Sequence, residues 1–285
     1  MNQDKSSRFV ILGCGHTGST LISGIFKISG YGSIPPISGM FESRELNRLC
    51  NILIGRCRQP HLDLTIDSFL QVLESQSCGK WSLKDPLLPF VMPMVYQRMA
   101  FPCEVIFNFR HPGPTVAHLL EGRRQFRNDL TEEEAQASAE AEYINKNKAV
   151  LSFITNNNMN YLMVEYDDLL DGSIHGTLNK FVGEPLNYRF IDPGKRRSPR
   201  IEVSKQCDDL YQELKQMAER NQNDVEASYS SVVRSSQWIQ TWKYIRYMYG
   251  KDYRKLLPKF IHDRLYAPAR FRHIRPPYPG YSEES

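Results

Sequence analysis

Apolar residues in this chain gather into short unbroken runs separated by longer stretches of helical periodicity. Arg8-Phe-Val-Ile-Leu12 is such a run, closed by glycines, which is the pattern of a strand buried on both faces. Val105-Ile-Phe-Asn-Phe109 and Tyr161-Leu-Met-Val-Glu-Tyr166 read the same way, and Trp81-Ser-Leu-Lys84 is a shorter candidate. Between them the spacing predicts helices. Leu21 to Ser29 has a broad apolar face of Leu21, Ile22, Ile25, Phe26 and Ile28. Glu42 to Leu53 follows, then Thr65 to Glu74 with a cap around Asp63–Thr65, then Thr115 to Arg123. A long amphipathic segment runs from about Thr131 to Ile154, with Glu132, Glu133 and Glu134 in its first turn as a solvated start favoured by the helix dipole. Gly30 to Gly39, rich in Gly, Ser and Pro, reads as a loop.

Buried strands alternating with helices imply an α/β fold with a mainly parallel sheet. Ligands in such folds sit at the carboxyl ends of the strands. That rule gathers the loops after Leu12, Leu83, Phe109 and Tyr166 around one pocket. No internal repeat or linker divides the chain. A single domain over 1–285 is expected, with a core at about 8–200 and a helical and extended part at about 205–285.

Composition narrows the class. The 41% hydrophobic and 24% charged residues are those of an ordinary globular protein. A net charge of +4 suits a small anionic ligand and is too dispersed for a nucleic-acid surface. No stretch approaches the roughly 18 apolar residues of a membrane helix, and the polar start has no signal-peptide core. Cys14, Cys50, Cys57, Cys78, Cys103 and Cys207 are scattered, with no C-x-x-C pair and no nearby histidine partner. Reduced thiols in a cytoplasmic setting and no metal site are therefore expected.

The richest motif lies between the first strand and the first helix: Gly13-Cys-Gly-His-Thr-Gly-Ser-Thr20. Glycines allow a tight turn and close approach to an anion, and the amides that open a helix bind phosphate oxygens. Gly13-x-Gly15-x-x-Gly18 fits a dinucleotide fingerprint, but that fingerprint needs an acidic residue ending the next strand, where this chain has Gly-Ser-Ile-Pro-Pro-Ile. Gly13-x4-Gly18 also fits a Walker A loop, yet the phosphate-binding lysine is replaced by Ser19 and no strand ending in a Walker B aspartate follows. A lysine-free cradle for a 5′-phosphosulfate and a purely structural turn both remain open from the loop alone.

Other segments join the loop in order. The strand followed by Gly-x-Gly-His-Thr-Gly-Ser-Thr-Leu resembles the 5′-phosphosulfate loop of sulfotransferases that use PAPS (3′-phosphoadenosine-5′-phosphosulfate). Lys84-Asp85-Pro86 is similar to that family's Lys-Asp-Pro. Val105-Ile-Phe-Asn-Phe-Arg110-His-Pro112 resembles its 3′-phosphate motif, and Val164-Glu-Tyr166-Asp-Asp-Leu-Leu170 its Tyr-Glu-Asp-Leu strand end. The resemblance covers 8–170 and implies a three-layer, P-loop-like α/β fold, PAPS as sulfate donor and no metal. Gly194-Lys195-Arg196-Arg197 sits where the family places a basic loop over the nucleotide, which makes Lys195 a candidate donor contact.

Roles follow from the resemblance. Gly15, His16, Thr17, Gly18, Ser19 and Thr20 would hold the 5′-phosphosulfate, and Arg110 the 3′-phosphate by a bidentate contact. His118 stands where the family has a serine that shares this phosphate. His16 replaces the usual Arg or Lys facing the bridging oxygen, where it would act as imidazolium and, with Lys84, neutralise the leaving phosphate. Tyr166 would border the adenine. Glu42-Ser43-Arg44 resembles the Glu-Thr-Arg of tyrosylprotein sulfotransferases, with Glu42 as base toward the acceptor and Arg44 orienting it. Glu42 would equally suit a helix N-terminal carboxylate, and Glu45 is its rival.

The activity implied is sulfuryl transfer to a hydroxyl or amine, releasing adenosine 3′,5′-bisphosphate (PAP). A P-loop phosphotransferase and a catalytically degenerate nucleotide binder are the alternatives. Small molecules, carbohydrates, lipids and tyrosine-bearing acceptors all stay open as partners. The strip Trp238, Trp242, Tyr244, Tyr247 and Tyr249 reads as core packing or packing over the pocket. Arg264 to Tyr281 reads as an extended arm lying on the body or on a partner subunit of a homo-oligomer.

Overall fold

The computed structural model describes residues 8–35, 37–55, 62–77, 80–126, 130–192 and 199–249. By its internal contacts the chain divides at residue 228, and the sheet and the candidate site belong to the unit 5–227. Four strands, β1 (Arg8–Leu12), β2 (Trp81–Lys84), β3 (Glu104–Phe109) and β4 (Tyr161–Glu165), form one sheet in the order β2-β1-β3-β4. Every pairing is parallel. From β1 the chain passes to β2 on one side, then crosses to β3 on the other. The order therefore reverses at the carboxyl ends of β1 and β3, the place where parallel α/β sheets open a ligand crevice.

Two apolar cores cover the two faces of the sheet. Val10 and Leu12, Leu83, Val105, Phe107 and Phe109 point to one side, with helices α2 (Arg44–Leu53), α3 (Leu62–Ser77), α4 (Leu88–Gln97), α5 (Pro112–Phe126) and α6 (Glu132–Asn156). Phe9 and Ile11, Ile106, Leu162 and Val164 point to the other, against α1 (Ser19–Ile28) and α8 (His175–Val182). Between β4 and α8 lies the single turn of helix α7 (Tyr166–Asp171), and α9 starts at Lys205 (Lys205–Tyr249). The α/β fold with a parallel sheet is the one the alternation of runs implies, and its three layers are those the resemblance implies.

Element edges differ in instructive ways. Ser43, not Glu42, caps α2, its hydroxyl accepting from the Leu46 amide. The long helix α6 opens on a full capping box between Thr131 and Glu134. Tyr166 leaves the strand and begins α7. Helix α4 escapes sequence periodicity because its run is almost wholly apolar and contains Pro93. It forms because Leu88, Val91, Met92 and Val95 bury one stripe, while Pro89 sits in the first turn, where no amide bond is lost. Cys14, Cys50, Cys103 and Cys207 are buried free thiols, and Cys57 and Cys78 lie outside the described residues. No helix among the described residues is long and apolar enough to cross a membrane, and no group of three or more His, Cys, Asp or Glu among them is placed to hold a metal ion.

Candidate functional site

The period of two along a strand decides which polar side chains can meet. In β2, Trp81 and Leu83 enter the core on the α2–α6 side, so Ser82 and Lys84 face α1. In β3, Val105, Phe107 and Phe109 take the same side, so Asn108 faces α1, and Arg110, one residue past the strand, follows it. Helix α1 begins at Ser19, directly after the glycine loop. Two parallel strands thus deliver a lysine, an amide and a guanidinium to one helix start.

The loop is held by β3. Asn108 is fully buried, and its Nδ2 donates to the Thr17 carbonyl. The Thr17 hydroxyl, also fully buried, donates to the Cys14 carbonyl at 2.7 Å and lies 3.2 Å from Asn108 Oδ1. Gly13 is obligatory: a Cβ there would sit 2.2 Å from the Asn108 carbonyl oxygen. The backbone then enters the left-handed region twice, at His16 (φ 65°) and Gly18 (φ 97°). At Gly18 a side chain would also strike the Tyr166 ring, 2.5 Å away. Gly15 has open space above it, its nearest neighbour being Leu119 at 3.9 Å.

Arg110 is 8% exposed. Its guanidinium lies over the Tyr166 ring at 4.1 Å and donates to the His16 carbonyl at 3.4 Å, while Tyr143 Oη donates to the Arg110 carbonyl at 3.0 Å. Tyr166 therefore presents one region of its ring to Arg110 and another to Gly18. It backs the crevice from the side of β4.

At the other end Lys84, 5% exposed, donates to Thr20 Oγ1 at 3.3 Å and forms an ion pair with Glu42. Glu42 is delivered by a small hairpin. The Ser38 amide donates to the Glu42 carbonyl at 2.8 Å, and Ser38 Oγ accepts from the Met40 and Glu42 amides at 3.2 Å. Phe41, at the tip, holds φ 58° with its ring edge-on to Phe190 at 5.1 Å, a strained conformation of the kind that persists where packing over-determines it. Behind Lys84, the buried Asp85 accepts from the Leu87 amide at 2.8 Å and from Asn47 Nδ2 at 3.0 Å. Burial still pushes its carboxyl above the usual range.

The His16 ring stacks on His118, 5.2 Å between centroids. Crowding by protein around the ring, and next the charge of His118, hold the His16 imidazole below its ordinary value. That direction favours the neutral ring in the free protein, and a nearby anion would favour the imidazolium that the resemblance implies. His118 also approaches Glu121 at 3.8 Å. Beneath the loop, burial pushes the Cys14 thiol up to about 12, which disfavours its thiolate form.

The sequence candidates divide clearly. His16, Thr17, Gly18, Arg110 and Tyr166 come together at the loop, and Thr20, Lys84 and Glu42 form a second, contiguous group. Glu42 precedes the α2 cap and faces Lys84, so it does not serve as the helix N-terminal carboxylate. Arg44 and Glu45, in the first turn of α2, are exposed. The Thr17 hydroxyl is spent inside the loop, which leaves its amide for an anion. Ser19 is nearly buried at the helix start. Lys195 lies outside the described residues. Asn108 and Tyr143 are neighbours of the candidate site that the sequence reading missed. For Asn108 the signal was there, a lone amide within an apolar strand.

No protein-family model matches the chain, and no curated protein matches it. Three solved structures are similar to it. One is sulfotransferase STF9 from Mycobacterium avium, at 15% identity over 70% of this chain and 71% of that one, TM-score 0.45. Another is the sulfotransferase domain of the Synechococcus PCC 7002 olefin synthase, at 17% identity over 75% and 93%, TM-score 0.47. The third is the sulfotransferase domain of the curacin biosynthetic pathway, at 16% identity over 70% and 81%, TM-score 0.46.

Proposed function

We propose that the chain is a sulfotransferase that takes a sulfuryl group from PAPS and passes it to a hydroxyl, or less readily an amine. The observation that carries this reading is Lys84. A P-loop phosphotransferase places its lysine within the glycine loop, whereas here the cation reaches the start of α1 from the neighbouring strand β2. It touches Thr20 Oγ1 at 3.3 Å and is paired with a carboxylate, Glu42.

The donor set fits a nucleotide with anions at both ends. The amides opening α1 have no partners within the helix. They stand with the hydroxyls of Ser19 and Thr20 and the Lys84 ammonium on the 5′ side. Arg110 supplies the guanidinium for a 3′-phosphate, with His118 on the adjoining helix α5. In the transfer, the acceptor oxygen forms a bond to sulfur and the bond from sulfur to the 5′-phosphate oxygen breaks. The electron pair leaves with PAP. Glu42 takes the acceptor proton, and Lys84 and a protonated His16 meet the charge that develops on the leaving phosphate. The pairing of Lys84 with Glu42 keeps both groups in the crevice until an anion draws the lysine to itself. Arg44, exposed two residues on, is left to orient the acceptor.

Ligand-induced thermal shifts with PAP, magnesium ATP and NAD test the donor class. A shift with PAP is expected. A shift with ATP or NAD and none with PAP would refute the reading. Mass spectrometry of acceptor pools incubated with protein and PAPS, searched for the mass of one sulfuryl group, then identifies the acceptor.

A further inference from the structure

We infer that Asn108 is a positioning residue that sets the spacing between the two anion sites of the donor crevice, an inference that rests on the donor site proposed above. Its amide makes a contact that only this side chain can supply. Nδ2 donates to the Thr17 carbonyl, and Oδ1 lies 3.2 Å from the Thr17 hydroxyl. A carbonyl cannot donate, so the amide orientation is fixed by chemistry. Thr17 lies between His16 and Gly18, the two loop residues with positive φ. Left-handed residues spaced this way turn successive amides toward one point, the geometry of anion-binding nests. Freed from Asn108, His16 has every steric reason to return to negative φ, and the amides would lose their common focus.

The same strand carries the other anion site. Arg110 lies two residues beyond Asn108 and donates to the His16 carbonyl. Gly13 packs so closely on the Asn108 backbone that no side chain fits between them. Strand β3 thus grips the loop at Gly13, Thr17 and His16 and makes one rigid frame of the loop and the Arg110 guanidinium. A ligand with a single anion feels only the loop. A ligand with anions at both ends also feels the distance across the frame, so loss of Asn108 should weaken binding of the second kind more.

The test compares PAP with AMP, which lacks the 3′-phosphate, by calorimetry on the full chain. Asn108→Leu keeps the branching at Cγ while removing both polar atoms, and the isosteric Thr17→Val removes the hydroxyl from the other side. The expected result for Asn108→Leu is loss of PAP affinity by at least about tenfold, with a smaller loss for AMP. Thr17→Val should move in the same direction and Thr17→Ser should restore binding, with every affinity measured well below the thermal midpoint of the variant, which the loss of a buried hydrogen bond lowers. If PAP and AMP weaken equally, or both variants hold PAP within about twofold of the unaltered protein, the spacing role is overturned. If the unaltered protein binds no PAP, the donor site itself is overturned, and that control separates the two failures.

Discussion

Glu42→Gln separates the two duties of the Lys84–Glu42 pair. The substitution keeps size and an accepting oxygen while removing the charge. Lys84 is 5% exposed and Glu42 22%, so the pair is partly shielded from water, and Lys84 retains Thr20 Oγ1 as a neutral acceptor. Removing the partner of a fully buried charge costs about 3–5 kcal/mol, whereas a charged hydrogen bond exceeds a neutral one by only about 1 kcal/mol. The remaining amide oxygen and the partial exposure put the cost near the lower figure, about 1–2 kcal/mol. For a unit of this size that lowers the thermal midpoint by about 2–8 °C. PAP should then restore more than it does in the unaltered protein, because its phosphate supplies the anion that Lys84 has lost. Turnover should fall by about 10²–10⁴ as the base disappears. Differential scanning fluorimetry with and without PAP, beside a PAPS turnover assay, reads both effects. Retained turnover would remove Glu42 from the chemistry, and an unchanged PAP-induced shift would refute the exchange of partners at Lys84.

Three further outcomes are expected. Arg110→Ala should weaken PAP by about 2–5 kcal/mol in calorimetry. Arg110→Lys should not restore it, since a lysine lacks the planar fork that both rests on Tyr166 and reaches a phosphate. Gly13→Ala should destabilise by about 1–3 kcal/mol or more, because its Cβ meets backbone at 2.2 Å. Gly122→Ala, in α5 with nothing within 4 Å, should stabilise by about 0.5–1 kcal/mol, and urea titrations of both check this. His16 and His111 are both held below the ordinary histidine value, mainly by burial. Between their unfolded and folded values the unfolded chain binds more protons, so stability should be whole above the ordinary histidine range and decline as pH falls through it. His16→Gln should flatten that slope, and NMR titration should show the His16 ring titrating low in the free protein and higher with PAP bound.

Much of this was legible in the chain because the signals were local. Buried runs gave all four strands, and glycines between strand and helix marked the loop. The capping box at Thr131 and Glu134 is written in four residues. What stayed hidden depended on distant partners. Glu42 looks equally at home at a helix start until Ser43 takes the cap and the 38–42 hairpin turns the carboxylate to Lys84, 42 positions away. Thr17 looks like a phosphate ligand until the Cys14 carbonyl claims its hydroxyl. Helix α4 has no periodic signal because the residues around its buried stripe are apolar too, Phe90 and Met94 being exposed. His16 was read as a cation from its place in the loop, but its environment in the free protein favours the neutral ring.

The Ser38–Glu42 hairpin has a consequence for how such a crevice could change over time. Its two end residues are tied to each other through backbone and hydroxyl bonds, and Ile37 pairs with Ser43 just outside them. The tip is tied in as well: the Met40 amide donates to Ser38 Oγ, the Phe41 amide donates to the Ser38 carbonyl, and the Phe41 ring packs on Phe190. Of the three tip residues, Gly39 meets nothing within 4 Å and Met40 is exposed, so these two side chains can be exchanged with least effect on Glu42. Variation at Gly39 and Met40 would then leave Glu42 in register with Lys84, so under the proposed function the surface beside the ion pair can change while its carboxylate, in the same five-residue turn, does not.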